Sequence, residues 1–163
     1  MPSETPEYGA QAQAMKDLLE RLSVKEANVV GAGWGGQVAI ELALAWPNAV
    51  KSLVLISSTY SGEQVGRLRN LSKPTLIVYA EDDMVTQLKA GYLLRDAIGT
   101  SRLEVSHKLE RFKAPQVLQL VRLFLSRPEG MVSKPLETEN ALRGLSMKVG
   151  SGEGEDPRPS AKP

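Results

Sequence analysis

Residues 29–36 read Val-Val-Gly-Ala-Gly-Trp-Gly-Gly, and this stretch decides the fold. It follows a short apolar run and precedes a strongly apolar segment, so the pattern predicts a turn between a strand and a helix. Glycine-rich turns of this kind serve two chemistries. In a Gly-x-Ser-x-Gly nucleophile elbow, the turn exposes a serine hydroxyl above a sheet. In a Gly-x-Gly-x-x-Gly phosphate loop, it brings a dinucleotide pyrophosphate against a helix N-terminus.

The glycines of this turn fit both motifs in part. Gly31, Gly33 and Gly36 match the phosphate loop letter for letter, which would make them the cofactor-binding residues of an FAD- or NAD-binding protein. Such a site also needs an acidic residue at the end of the next strand, where this chain has Ile56 and Ser57. In the elbow interpretation, Gly33 stands at the nucleophile position without a side chain. We favour the elbow, for which no cofactor is expected, and keep the dinucleotide site as an alternative.

Strands alternate with helices on both sides of this turn. Apolar residues at helical spacing (Met15, Leu18, Leu19 and Leu22) predict an amphipathic helix over about 8–23. Further helices are expected after the glycine turn, over about 85–98 and after Pro115. The predicted strands are Ala27–Val30, Val50–Ile56, Thr75–Tyr79 and Arg102–Val105. This alternation indicates an α/β fold, with a parallel sheet of about four strands flanked by helices.

Domain boundaries follow from where this pattern begins and fades. We assign residues 1–7 to a flexible N-terminus, 8–126 to a partial α/β domain and 127–163 to a tail that is mostly disordered. Glycine and proline recur over 150–163 without apolar periodicity. Ser57-Ser58-Thr59 is expected to cap the segment after the second strand.

Composition excludes several classes of function. Lys and Arg number 20 against 19 Asp and Glu, so neither nucleic acid nor a membrane surface is an expected partner. The chain has no cysteine and one histidine, so no metal site is expected. No apolar run approaches the roughly 20 residues that span a bilayer, and no secretory signal is visible. We therefore expect a soluble, cytoplasmic protein.

Three segments, in order, resemble the α/β-hydrolase family. Ala27–Ile56 resembles the stretch around the nucleophile elbow, and Pro74–Asp83 looks like the strand that bears the catalytic acid. Leu103–His107, with Pro115 and the apolar segment after it, is similar to the histidine loop and final helix. The order elbow, Asp, His agrees with that fold. The resemblance covers roughly residues 8–126 and implies the C-terminal half of an α/β-hydrolase domain.

The resemblance also implies roles for individual residues. Asp83 falls on the triad aspartate and His107 on the triad histidine, which leaves a residual dyad. Gly33 occupies the vacant nucleophile position, and the backbone N–H of Trp34 would supply an oxyanion-type donor. The side chain of Trp34 is expected to plug the former pocket, because a large aromatic buries much area at little entropic cost. Ser57 and Ser106 are the nearest hydroxyls.

Two functions follow from these roles. Without a nucleophile no acyl or alkyl intermediate can form, so we favour a hydrolase-like protein that acts by binding or assembly. The alternative is a hydrolase of ester-like small molecules in which Asp83 and His107 activate water.

The front half of the family fold has no counterpart in the sequence, which leaves the strand Ala27–Val30 without one neighbour. Its open edge is expected to recruit a protein partner or a second copy, with a small-molecule ligand as a further possibility. Alternatively, the chain is a fragment of a longer product that supplies the missing half.

Overall fold

The computed structural model describes residues 7–83, 86–106 and 115–132, and all of them belong to one compact unit. Four parallel strands form a single sheet in the order β1-β2-β3-β4. The strands are β1 (Ala27–Ala32), β2 (Val50–Ile56), β3 (Thr75–Ala80) and β4 (Ser101–Ser106). The helices are α1 (Glu7–Arg21), α2 (Gly35–Ala45), α3 (Gly62–Val65), α4 (Leu88–Ala97), α5 (Pro115–Ser126) and α6 (Pro128–Val132). The predicted parallel α/β sheet is therefore confirmed.

The sheet is covered on both faces because side chains of a strand point alternately to opposite sides. In β2, Leu53 and Leu55 belong to the larger core cluster, which lies against α2 and α4. Val54, between them, belongs to a smaller cluster built around Phe124 of α5. Strands buried on both faces read as continuous apolar runs, as the second and third strands do in this sequence.

The helix α1 contradicts the burial expected from its sequence pattern. Tyr8 and Ala12 are its buried residues, whereas Met15, Leu18 and Leu22 are 43%, 46% and 63% exposed. The physical reason is that α1 packs on α2 rather than on the sheet, so its apolar side has nothing to cover among the described residues. Periodicity identified the helix but not the surface that it buries.

The strand β1 forms one edge of the sheet. It pairs with β2 on one side, and no described strand pairs with it on the other. Val30, which lies opposite Val54 in this pairing, remains 51% exposed while Val54 is fully buried. Within the described ranges, no helix has the length and apolar character needed to cross a membrane.

Candidate functional site

The carboxyl edge of the sheet brings together the ends of β1, β2 and β3. Since ligands of open α/β sheets bind outside the carboxyl ends of the strands, this edge is the candidate site. It carries the glycine turn after β1, the segment Ser57-Ser58-Thr59 after β2, and Asp83 shortly after β3. His107 follows β4, and it lies outside the described residues.

Gly33 stands at the apex of the turn between β1 and α2. Its φ of +53° is in the left-handed region, which a glycine occupies without the strain imposed on other residues. A Cβ placed on Gly33 would meet no atom within 4 Å. The turn therefore has the sharp strand-to-helix geometry of a nucleophile elbow, with open space where the nucleophile side chain would project.

The other two glycines of the motif are explained by close packing. A Cβ on Gly31 would lie 2.6 Å from the carbonyl oxygen of Gly35, and one on Gly36 would lie 2.2 Å from Oγ of Ser58. Both contacts are far shorter than a side chain tolerates. The Gly-x-Gly-x-x-Gly spacing is thus accounted for by the approach of α2 to the ends of β1 and β2, without a pyrophosphate.

Hydrogen bonds from the end of β2 hold the turn in place. The N–H of Gly33 donates to the carbonyl of Ile56 over 3.0 Å, and the N–H of Thr59 donates to the carbonyl of Gly33 over 2.9 Å. The hydroxyl of Ser58 donates to the carbonyl of Gly31 over 3.2 Å. Both backbone groups of Gly33 are thereby fixed, which is the preorganisation that a binding turn requires.

The expected cap at Ser57-Ser58-Thr59 is corrected by these contacts. The residue that caps α3 is Ser61, whose hydroxyl accepts from the N–H of Gln64 over 3.2 Å while the Gln64 side chain accepts from the N–H of Ser61. This reciprocal capping box satisfies two backbone donors at the start of the helix. Ser58 and Thr59 bond to the glycine turn instead.

A chain of polar contacts links the turn to α1. Thr59 accepts from the side-chain amide of Gln37 over 2.9 Å, and the fully buried Gln64 donates to the carbonyl of Gln37 over 2.8 Å. Ser61 in turn donates to the hydroxyl of Tyr8 in α1 over 3.1 Å. This network was not predicted from the sequence, although the Ser-x-x-Gln spacing of the capping box is a local signal for its centre.

Trp34 follows Gly33 and caps the N-terminus of α2. Its backbone N–H has no hydrogen-bond acceptor among the described residues. An oxyanion-type donor needs to be free in this way before a ligand binds. Its side chain does not fill an enclosed pocket, because the residue is 41% exposed. The expectation of a plug is therefore wrong: the indole lies at the surface because the tight turn places Trp34 outside the contact between α2 and the sheet.

Asp83 lies three residues beyond the end of β3 and is only 7% exposed. Its Oδ1 accepts from the N–H of Thr86 over 2.9 Å, and its Oδ2 accepts from the Thr86 hydroxyl. These bonds orient the carboxylate. The neighbouring acids Glu81 and Asp82 are exposed.

Comparisons with known proteins agree with this geometry. Residues 2–66 match the family model described as the alpha/beta hydrolase fold. The chain has the fold of the α/β-hydrolase family. Its structure is similar to that of a predicted CIB-like hydrolase from Thermoplasma acidophilum, with a TM-score of 0.68 and 21% identity over 75% of this chain and 61% of the other. A meta-cleavage product hydrolase from Pseudomonas fluorescens gives a TM-score of 0.64 and 15% identity over 77% and 73%.

Curated relatives match shorter stretches of this α/β-hydrolase-fold chain. A homoserine O-acetyltransferase from Thermus thermophilus is 45% identical over 47 residues, which are 29% of this chain and 12% of the relative. A 2-hydroxy-6-oxononadienedioate/2-hydroxy-6-oxononatrienedioate hydrolase from a Pseudomonas species is 34% identical over 67 residues, 41% of this chain and 22% of the relative. The matched stretches thus span less than a quarter of either relative.

Proposed function

We propose that this chain is an α/β-hydrolase-like protein without serine-hydrolase turnover, acting by binding or by assembly with a partner that completes its sheet. The observation that carries the proposal is Gly33. The turn keeps the left-handed conformation and the hydrogen bonds of an elbow, but its apex has no side chain. A covalent intermediate at this position is chemically impossible without one.

The edge of β1 supports the assembly part of the proposal. A strand edge presents unpaired backbone N–H and C=O groups, which pair readily with another strand. The half-exposed Val30 adds apolar surface on one face of this edge. No described strand pairs with this edge, and Ala27–Ala32, with six residues, has an ordinary length for a strand.

The exposed apolar row of α1 supports the same conclusion from a second element. Met15, Leu18 and Leu22 lie three and four residues apart, so they share one side of the helix. Three large apolar side chains on one exposed helix side are typical of an interaction surface. The helix α1 packs on α2, and α2 packs on β1, the strand with the open edge.

Ester hydrolysis tests the catalytic part of the proposal. The wild-type chain and the variants Gly33→Ser and Gly35→Ser are compared for hydrolysis of p-nitrophenyl butyrate and for labelling by a fluorophosphonate. We expect no labelling of the wild type or of Gly35→Ser, because neither places a hydroxyl at the apex. Turnover by the wild type that the fluorophosphonate abolishes would contradict the proposal.

Light scattering tests the assembly part. We expect the purified chain to have a concentration-dependent mass above that of the monomer, because the open edge of one copy pairs with that of another when no other partner is present. A monomer that melts cooperatively at all concentrations would refute assembly through β1.

A second candidate function is hydrolysis of ester-like small molecules by Asp83, His107 and a water molecule. The orientation of the buried Asp83 carboxylate by Thr86 favours it, because a carboxylate that orients a histidine must itself be held. This function predicts slow hydrolysis of an activated ester that is lost in His107→Ala. Equal rates for the two proteins would refute it.

A further inference from the structure

The two outer strands of the described sheet differ in charge. The strand β4 carries Arg102 and Glu104, whose side chains form an ion pair with each other. The strand β1, by contrast, has no charged residue from Ala27 to Ala32. Charged side chains on an edge strand discourage its pairing with another chain. Of the two outer strands, β1 is therefore the one that has no charge to oppose such pairing.

The hydrogen bonds of β1 to β2 determine which backbone groups face the open edge. The N–H of Gly33 donates to the carbonyl of Ile56, so the backbone of Gly33 is turned toward β2. In a parallel ladder, alternate residues of a strand bond to the same neighbour. Counting back from Gly33 in steps of two gives the residues of β1 that bond to β2. The residues between them, which direct both N–H and C=O away from β2, are Asn28, Val30 and Ala32.

The side chains of the same three residues are exposed and share one face of the sheet. Val30 is 51% exposed beside the fully buried Val54. Asn28 accepts a hydrogen bond from the hydroxyl of Ser52 over 2.7 Å, so its amide oxygen is already bonded within its own sheet. The row Asn28, Val30 and Ala32 therefore combines outward backbone groups with an uncharged, accessible surface.

We propose that the partner that completes the sheet is a second copy of this chain, whose β1 pairs antiparallel with β1 across a twofold axis at Val30. This inference rests on the assembly part of the proposed function and names its partner. Val30 of one copy lies opposite Val30 of the other, and Asn28 lies opposite Ala32. In this register the outward N–H and C=O groups of all three residues find partners in the other copy. A shift along the strand would leave one end of the row without a partner in the opposite β1.

A second copy suits this edge because the row is complementary to itself when its direction is reversed. Reversal keeps Val30 at the centre, where two β-branched side chains meet, and places the small Ala32 against Asn28. A twofold contact uses the open edge of both copies at once, so it closes at two chains and leaves no β1 edge for a fibre. Pairing of β1 with the β4 of another copy would instead meet Arg102 and Glu104. The net charge of +1 per chain gives two copies little electrostatic repulsion.

Disulfide trapping tests this pairing, because the chain has no cysteine of its own. Opposed residues of an antiparallel pair have Cα atoms about 5.5 Å apart, within the range of about 4.4–6.8 Å that a disulfide spans. Val30→Cys in the full chain, oxidised with diamide, is therefore expected to give a covalent dimer on a non-reducing gel. Ala32→Cys is the matched control, since Ala32 lies on the same exposed face but its two copies would be about 14 Å apart at about 3.4 Å per residue. It should remain monomeric, as should Val105→Cys on β4.

A mixture of two variants repeats the test if Val30→Cys fails to fold. Asn28→Cys and Ala32→Cys should each fail to cross-link alone and should form a mixed disulfide when combined, because position 28 of one copy faces position 32 of the other. Equal yields of covalent dimer from Val30→Cys, Ala32→Cys and Val105→Cys would indicate random collision and overturn the proposal.

Light scattering of the wild-type chain separates failure of this pairing from failure of assembly as such. A mass above that of the monomer, together with no covalent dimer from Val30→Cys and no mixed disulfide, would overturn the twofold pairing and leave assembly through another contact intact. A wild-type chain that is monomeric at all concentrations would overturn both.

Discussion

Gly36 and Ser58 are in such close contact that a Cβ at position 36 would lie 2.2 Å from Oγ and 2.3 Å from Cβ of Ser58. This contact joins the first turn of α2 to the end of β2, and it fixes the angle at which α2 leaves the glycine turn. Ser58 is fully buried and cannot withdraw into solvent. The packing of these two small residues is therefore a condition of the elbow geometry, whether or not the site has a ligand.

Gly36→Ala is expected to destabilise the domain. The added methyl must displace both Ser58 and the start of α2, and overpacking of this kind costs about 1–3 kcal/mol. Gly35→Ala is the matched control, because a Cβ there would meet no atom within 4 Å and alanine favours the helix. Urea unfolding of the two variants measures the difference. Equal free energies of unfolding for Gly36→Ala and Gly35→Ala would show that the contact with Ser58 does not exclude a methyl group at position 36.

Gln64→Ala is expected to lower the free energy of unfolding by about 2 kcal/mol. The fully buried side chain donates to the carbonyl of Gln37 and accepts from the N–H of Ser61, so its removal breaks both bonds and leaves a cavity. The exposed Gln13, which bonds to Asp17 in its own helix, is the control, and Gln13→Ala should change stability by less than about 0.5 kcal/mol. Chemical denaturation of both variants tests this. Similar losses in the two would argue against the network that connects α3 to α2.

Tyr79→Phe is expected to change the alkaline stability of the protein. Burial raises the pKa of Tyr79 above its ordinary value of 10.0, with smaller contributions from Tyr60 and Asp83, and the protonated hydroxyl donates to the carbonyl of Ser58. Because the folded pKa exceeds the unfolded one, this hydroxyl stabilises the fold fully below pH 10 and progressively less above it, by about 1.4 kcal/mol per pH unit.

The loss caused by Tyr79→Phe, about 1–3 kcal/mol near pH 8, should therefore shrink as the pH rises above 10. Unfolding curves at a series of pH values measure it. The control is Tyr92→Phe, which removes the hydroxyl of a tyrosine that is 42% exposed. A loss that stays constant with pH would contradict the assigned burial effect.

Val30→Lys is expected to reduce self-association through β1. Val30 is 51% exposed, so the substitution should cost the monomer less than about 0.5 kcal/mol while placing a charge on the edge that a second strand would pair with. Val105→Lys introduces the same charge on β4, at the other end of the sheet, and should not affect association. Light scattering over a range of concentrations compares the two. Equal effects of both substitutions would indicate a general effect of charge.

The strand-to-helix turn could be predicted from sequence because glycine spacing and apolar runs are local signals. The second strand has the predicted bounds, Val50–Ile56, and the others differ by one or two residues at their ends. The environment of Ser57 could not be predicted from local signals. Nothing in Ser57-Ser58-Thr59 distinguishes the first hydroxyl from the other two, and only the tertiary contacts with Gly31 and Gly33 do so.

The sequence by itself determined the α/β class, the parallel sheet and the vacancy at Gly33, because each depends on residue type and spacing along the chain. The tertiary structure decided which surfaces are buried. Met15, Leu18 and Leu22 have the spacing of a core-facing row, yet they are exposed because α1 rests on α2. Burial depends on which elements meet, and those contacts join residues far apart in the chain. The same is true of Gly36 and Ser58, whose close approach explains a glycine that also matched the alternative phosphate-loop motif in the sequence.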